Sequence, residues 1–262
     1  MKLRPCIDIH NGKVKQIVGS SLRDGADPVT NFVADQPPSY FAGIYRDDNL
    51  SGGHVIMLGS GNERAAIDAL QAFPGGLQVG GGINPANAQG FIGAGASHVI
   101  VTSYVFNDGK LHWNQLEQIS RAVGSERLVL DLSCRKEGTD YVIVTDRWQR
   151  STDVILRPEL FEQLSGYCDE FLVHAAHVEG KRSGIDGELV SLLSECSVCP
   201  ITYAGGVRSF DDLEEVAVAG NNRIDVTIGS ALSLFGGAMD YHDVVAWFSA
   251  RRKLKEERKP QE

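Results

Sequence analysis

Short apolar runs alternate with amphipathic stretches along the whole chain, and the alternation predicts eight strands and eight helices. The strands fall at 3–9, 53–58, 76–80, 97–102, 127–132, 169–174, 200–204 and 223–228. Most are continuous apolar runs, the pattern of strands buried on both faces. The helices lie between and after them, at 38–46, 62–73, 84–94, 111–123, 157–166, 186–195, 209–219 and 240–253. Asn84-Pro85 sets a proline at a first helical position, and Ser209 precedes Asp211-Asp212 in a first turn. Gly93, Gly95, Gly166 and Gly220 mark helix ends. Strand–helix units joined by right-handed crossovers either close into a barrel or spread into a doubly wound sheet. Two connections, 10–37 and 133–156, are far longer than the rest and follow the first and fifth strands. Long loops inside a compact domain are usually functional.

The first half of the chain resembles the second. Asp8 in Ile7-Asp8-Ile9 answers Asp131 in Leu130-Asp131-Leu132. Gly80-Gly81-Gly82 answers Ala204-Gly205-Gly206, and Thr102-Ser103 answers Gly229-Ser230, all at a nearly constant offset of 123 to 127 residues. A four-plus-four repeat closes symmetrically. The expectation is an α/β fold, a single (β/α)8 TIM barrel built from two repeated half-barrels and occupying residues 1–262 as one domain. The 262 residues suit it, because such a barrel takes about 250.

Composition narrows the partners. A formal net charge of −9 argues against a nucleic-acid ligand, which needs a basic face. The basic cluster Arg251-Arg252-Lys253-Leu254-Lys255 is followed at once by Glu256 and Glu257 and reads as the solvated end of the last helix. Five scattered cysteines do not form a disulfide framework. Cys196 and Cys199 are spaced as C-x-x-C but lack two further metal ligands nearby, so they read as small residues before a strand. No apolar stretch reaches the 18 or so residues of a membrane span. A cytoplasmic protein is expected, or a plastid-stroma protein if a transit peptide has been removed. A closed barrel has no open sheet edge, and a monomer is expected.

Asp8 and Asp131 each end a buried strand, where a charge costs free energy unless it is paired or used. The first and fifth strands of a barrel lie opposite each other. The two carboxylates would meet over its mouth, and paired carboxylates in unlike environments can divide base and acid roles. The alternative is two structural aspartates pairing with Lys13 and Arg135. The glycine turns offer bare backbone N–H groups beside a hydroxyl, the make-up of an anion nest. Gly81 and Gly82 with Thr102 and Ser103 make one cradle, and Gly205 and Gly206 with Gly229 and Ser230 make the other. The short apolar segment from Ala231 to Phe235 is like the extra helix of barrel phosphate sites. Two cradles imply a small substrate with two phosphates. Trp148 on the second long loop could stack on a planar ligand. His174 and His177 follow the sixth strand and read as core or rim histidines. Nucleotide-cofactor motifs are missing, and neither cofactor nor metal is expected.

Cys6-Ile7-Asp8-Ile9-His10-Asn11-Gly12-Lys13-Val14-Lys15, Leu77-Gln78-Val79-Gly80-Gly81-Gly82-Ile83, Leu130-Asp131-Leu132-Ser133-Cys134-Arg135-Lys136 and Tyr203-Ala204-Gly205-Gly206 carry a family resemblance. From about residue 3 to 248 the chain resembles the phosphoribosylformimino-aminoimidazole carboxamide ribotide isomerases of histidine biosynthesis, in their eukaryotic branch. The resemblance implies a duplicated half-barrel that turns an aminoaldose into an aminoketose by an Amadori rearrangement, without metal or organic cofactor. It implies that Asp8 accepts a proton at C2 of the ring-opened sugar imine and that Asp131 donates the proton that assists ring opening. It assigns one phosphate to Gly82, Thr102 and Ser103, the other to Gly206, Gly229 and Ser230, and places Trp148-Gln149 over the aminoimidazole.

The chain departs from its relatives in places. Bacterial members carry a threonine near the position of Ala175, an Asp-Gly where Glu179-Gly180 stands, and an arginine after the first glycine turn, where Asn84 stands. Eukaryotic members usually show an aspartate where His177 stands. Glu179 is taken as the third catalytic acid in their place. Two rival readings remain. One is the sister cyclase–lyase of the same pathway, which needs a partner that supplies ammonia. The other is a phosphosugar-binding relative without activity, suggested by His177 and Ala175.

Overall fold

The computed structural model describes residues 1–18, 21, 29–146, 148–181, 183–196 and 198–257, with side chains as far as residue 252. Its frame is eight parallel strands: β1 (Cys6–His10), β2 (Gly53–Met57), β3 (Leu77–Gly80), β4 (His98–Val101), β5 (Leu128–Asp131), β6 (Glu170–His174), β7 (Ile201–Ala204) and β8 (Asp225–Thr227). They pair in chain order from β1 to β8. The ring closes through a parallel bridge between Leu3 and Val226. There the Arg4 amide donates to Val226 O at 2.8 Å and the Val226 amide to Lys2 O at 2.9 Å. This is the α/β barrel expected from the strand count.

The helices are α1 (Pro38–Asp47), α2 (Glu63–Ala72), α3 (Ala88–Gly93), α4 (Trp113–Val123), α5 (Pro158–Leu164), α6 (Gly187–Glu195), α7 (Phe210–Ala219) and α8 (Tyr241–Glu257). Ser209 caps α7 as anticipated, and reciprocally: its hydroxyl accepts from the Asp212 amide at 3.3 Å while the Asp212 carboxylate accepts from the Ser209 amide at 3.2 Å. Strand residues alternate between two apolar clusters. Val99, Leu130, Phe171, Val173, Tyr203 and Val226 belong to the large outer core shared with the helices. Ile100, Val129, Leu172 and Ala204 fill the inside of the ring. A strand with both faces covered this way has no face in water, and that is why most of its sequence reads as an apolar run.

Four expectations need correction. Residues 84–87 form turns rather than the start of α3. Asn84 Oδ1 accepts from the Ala86 amide and Asn87 Oδ1 from the Asn84 amide, both at 2.9 Å, and these side-chain bonds displace helical ones. The connections 10–37 and 133–156 are largely strands rather than plain loops. Lys13–Ile17 pairs antiparallel with β1 and with Thr30–Val33. Cys134–Glu137, Asp140–Thr145 and Arg150–Ile155 form a separate three-stranded sheet. Residues 19–20, 22–28 and Arg147 of these connections lie outside the described residues. The segment after β8 is helical only over Ser233–Phe235, as a single 3-10 turn. Finally, Arg251 is not simply solvated: it pairs with Glu214 and lies 4.3 Å over the Trp247 ring. The side chains of Lys253 and Lys255 lie outside the described residues.

Candidate active site

The C-terminal end of the ring presents acidic groups around one histidine. Asp8, on β1, accepts from Gln16 Nε2 at 3.2 Å. Gln16 sits on the added strand Lys13–Ile17, and its alternation turns the amide inward to β1. Gly229 makes room for it, since a Cβ there would meet Gln16 Oε1 at 2.5 Å. Asp131, ending β5, takes three donors. These are the Thr102 hydroxyl at 3.1 Å, the Ser133 hydroxyl at 3.0 Å and His174 Nδ1 at 3.0 Å. Neither aspartate pairs with Lys13 or Arg135 among the described residues. Arg135 instead binds Glu137 at 2.8 Å.

Asp8, His174 and Glu179 line one cleft with Gly205, Gly206, Thr227, Gly229 and Ser230. Burial, and next the charge of Glu179, push the Asp8 carboxyl up to about 7, against the pull of His174 and Gln16. Burial also raises Glu179, with His174 opposing it and Asp131 adding to it. Burial works against a charge on His174, but the Asp131 carboxylate and its hydrogen bond, with Glu179 and Asp8 behind, carry it up to about 9. His54, beneath with its ring 6.3 Å from that of His174, is driven down to about 3 by burial first and the His174 charge second. One imidazole is therefore cationic and the other neutral at pH 7.

The second cradle is built into this cleft. Gly206 has φ +77°, and a Cβ on it would lie 2.0 Å from Gly184 O, so only glycine fits between strand β7 and the loop that carries Glu179. Thr227 Oγ1 is buried in the same wall without a hydrogen-bond partner among the described residues. The first cradle lies at the ends of β3 and β4. Gly81, at φ +96°, would drive a Cβ to 2.1 Å from Met57 O, while Gly82 faces open space. Ser103 is exposed there. The Thr102 hydroxyl turns toward Asp131. Trp148 holds φ +67° on its loop and tilts over His174 with ring centroids 5.9 Å apart.

His174 stands at the rim, within the core-or-rim reading of its sequence, but its tie to Asp131 is not foreshadowed by a histidine at the end of Phe171-Leu172-Val173. Its partner is 43 residues away, and no local pattern marks it. Gln16 and Thr227 were missed for the same reason. His177 lies outside the cleft's lining. Its Nε2 contacts Asp186 at 3.1 Å and its Nδ1 is buried without a partner among the described residues. Cys196 is buried, and Cys199 Sγ lies 3.8 Å from Cys168 O. Among the described residues no group of three or more His, Cys, Asp or Glu side chains is arranged for a metal ion.

The family model described as histidine biosynthesis protein matches residues 2–240. The chain belongs to the histidine biosynthesis protein family. Members of that family are near relatives over almost the full length. A protein of Medicago truncatula is 56% identical over 259 residues, covering 96% of this chain and 83% of its own. Its name is 1-(5-phosphoribosyl)-5-((5-phosphoribosylamino)methylideneamino) imidazole-4-carboxamide isomerase, chloroplastic. Proteins of the same name, without the last word, come from Neurospora crassa (49% over 251 residues, 94% of this chain and 98% of that one) and Saccharomyces cerevisiae (44% over 251 residues, 92% and 96%). The resemblance read from the strand-end motifs is thus to the correct family, and the barrel expected of it is the fold observed.

Proposed function

We propose that this member of the family catalyses the isomerisation named in its relatives, converting the bis-phosphorylated aminoaldose to its aminoketose by an Amadori rearrangement. The observation that carries the reading is the unlike surroundings of the two aspartates in one barrel mouth. Asp8 has one hydrogen-bond donor among the described residues and a carboxyl near 7, fit to take a proton from C2 at neutral pH. Asp131, held by Thr102, Ser133 and His174, is aimed and is coupled to a cation, fit to assist opening of the sugar ring. Glu179 raises Asp8 and stands as the third acid. Gly81, Gly82, Thr102 and Ser103 would hold one phosphate, and Gly205, Gly206, Gly229 and Ser230 the other, with Trp148 over the aminoimidazole.

The test is incubation of the purified protein with the aminoaldose alone. Conversion to the aminoketose without glutamine or ammonia is expected. Product that appears only with ammonia would favour the cyclase, and tight binding without product would favour the inactive relative. A monomer is proposed, and light scattering on a sizing column checks it. A cytoplasmic location is proposed, with the plastid stroma as the alternative that the chloroplastic relative supports. Imaging of a tagged full-length protein separates the two.

A further inference from the structure

We propose that His174 is a positioning residue that works through Asp131, its Nδ1 proton replacing the proton that Asp131 delivers to the sugar ring. This rests on the isomerase reading above. The surroundings of Asp131 pose the problem. A general acid must carry a proton, yet the Thr102 and Ser133 hydroxyls and His174 Nδ1 all donate to this carboxylate at 3.0–3.1 Å. Asp131 thus acts as an acceptor in all three bonds, and the ionisable donor among them, His174 Nδ1, stands 3.0 Å away.

The other groups facing His174 keep that proton there until it is needed. Asp8 from β1 and Glu179 from the loop after β6 both favour the imidazolium. His54 from β2, itself neutral near pH 7, lies beneath it, and Trp148 closes the upper side. The side chain has 14% of its surface exposed, so bulk water has limited access to it. The 3.0 Å bond from His174 Nδ1 to Asp131 Oδ1 puts that proton in direct reach of the carboxylate and makes the two side chains a pair.

The step balances. As the C1–O bond of the sugar ring breaks, the ring oxygen takes a proton from the pair through Asp131. The Nδ1 proton of His174 moves onto Asp131 Oδ1, and the imidazole is left neutral. The substrate then loses its C2 proton to Asp8, and the resulting enolamine becomes the ketone as C1 gains a proton and the C2 hydroxyl gives up its own. After product leaves, Asp8 releases its proton to solvent and a solvent proton restores the imidazolium, so no net proton is consumed. No oxidant or cofactor enters.

His174→Asn keeps a donor near Asp131 but removes the transferable proton, and His174→Ala removes both. For His174→Asn a fall in kcat on the order of 10²-fold is expected with KM changed less than about threefold, since an interaction specific to the proton-transfer step is lost. The alkaline limb of the wild-type rate profile, expected near pH 9, should vanish in this variant. A kcat within threefold of wild type with the alkaline limb intact would overturn the proposal. A second arm needs no turnover. Nitrogen NMR of the histidine-labelled wild type should show the His174 ring staying protonated to about pH 9, and Asp131→Asn should bring that titration toward the ordinary histidine range near 6.5. Titration of His174 near 6.5 in wild type, or no change in Asp131→Asn, would overturn the pairing whether or not the aminoaldose is a substrate. Loss of wild-type turnover with the NMR result intact would overturn the isomerase reading and, with it, the proton-delivery role.

Discussion

The two ends of the barrel hold the same kind of side chain in opposite conditions. At the N-terminal end, Glu170 and Asp225 are buried inside the ring and fully engaged. Arg4 Nε binds Asp225 at 2.9 Å and its NH2 nitrogen binds Glu170 at 3.3 Å. Gln78 and Thr202 donate to Glu170 at 3.0 and 2.7 Å, and the Lys2 amide donates to Asp225 at 2.7 Å. At the C-terminal end, Asp8 has a single amide donor among the described residues, and burial first and Glu179 second raise its carboxyl. The alternation that turns Arg4 inward also turns Asp8 inward, two strand periods further along β1. One end pairs its charges with an arginine and closes the ring; the other leaves Asp8 with one donor among the described residues and ties Asp131 to a histidine, a partner that can itself give up a proton. An acid held by an arginine is structural, and one left in need or held by a histidine can be chemical.

Swapping the charge at each end should separate rate from stability. The largest effect expected is on turnover: Asp8→Asn and Asp131→Asn should each lower kcat by at least about 10²-fold with modest change in KM. Steady-state kinetics on the aminoaldose checks this, and full activity in either variant removes that residue from the chemistry. Next in size, Glu170→Gln leaves Arg4 with Asp225 as its one acidic partner in the ring among the described residues and should cost about 1.5–3 kcal/mol of stability, read from urea unfolding. Its kcat, measured below the unfolding transition, should stay within about threefold of wild type. A Glu170→Gln protein as stable as wild type would erase the distinction between the ends.

The eight strands were legible because burial on both faces writes itself as apolar runs. The repeat was legible because Asp8 and Asp131 end such runs. The strands after β1 and β5 were hidden, because Lys13-Val14-Lys15-Gln16-Ile17 and Arg150-Ser151-Thr152-Asp153-Val154-Ile155 are polar enough to read as loops. Asp8, Glu179, Gly205, Gly206, Gly229 and Ser230 do come together. The His174–Asp131 contact and the Gln16–Asp8 contact were out of reach, since each joins different strands and neither leaves a local spacing.

A second comparison is of cradle against cradle. Gly206→Ala forces a Cβ against Gly184 O in a left-handed backbone, whereas Gly82→Ala meets no neighbour and suffers backbone strain alone. Gly206→Ala should therefore raise KM by roughly tenfold or more and Gly82→Ala by less. Equal losses would mean that backbone conformation, not crowding, governs both.

The smallest effect concerns pH. Asp8 binds its proton more tightly folded, near 7, than unfolded, near 3.8. Between those values the native state holds more protons, so ionisation of Asp8 subtracts stability as pH rises through that window. Asp8→Asn should then melt higher than wild type at pH 8, by a few degrees, and the gap should close near pH 4. His174 acts in the same direction at higher pH. Its folded value near 9 exceeds the ordinary 6.5, so its contribution is complete below 6.5 and is lost as pH rises through 9. Thermal melts across pH 4–10 check both windows.

The seam between Leu3 and Val226 also bears on how the chain reaches its native state. Arg4 and Asp225, which meet across that seam, stand 221 positions apart. Residues near the start leave the ribosome early and wait for nearly the whole polypeptide before they find their partner. Closing so long a chain segment makes a high contact order and slow folding. The first strand must spend that interval with one edge uncovered, open to mispairing with a neighbouring chain.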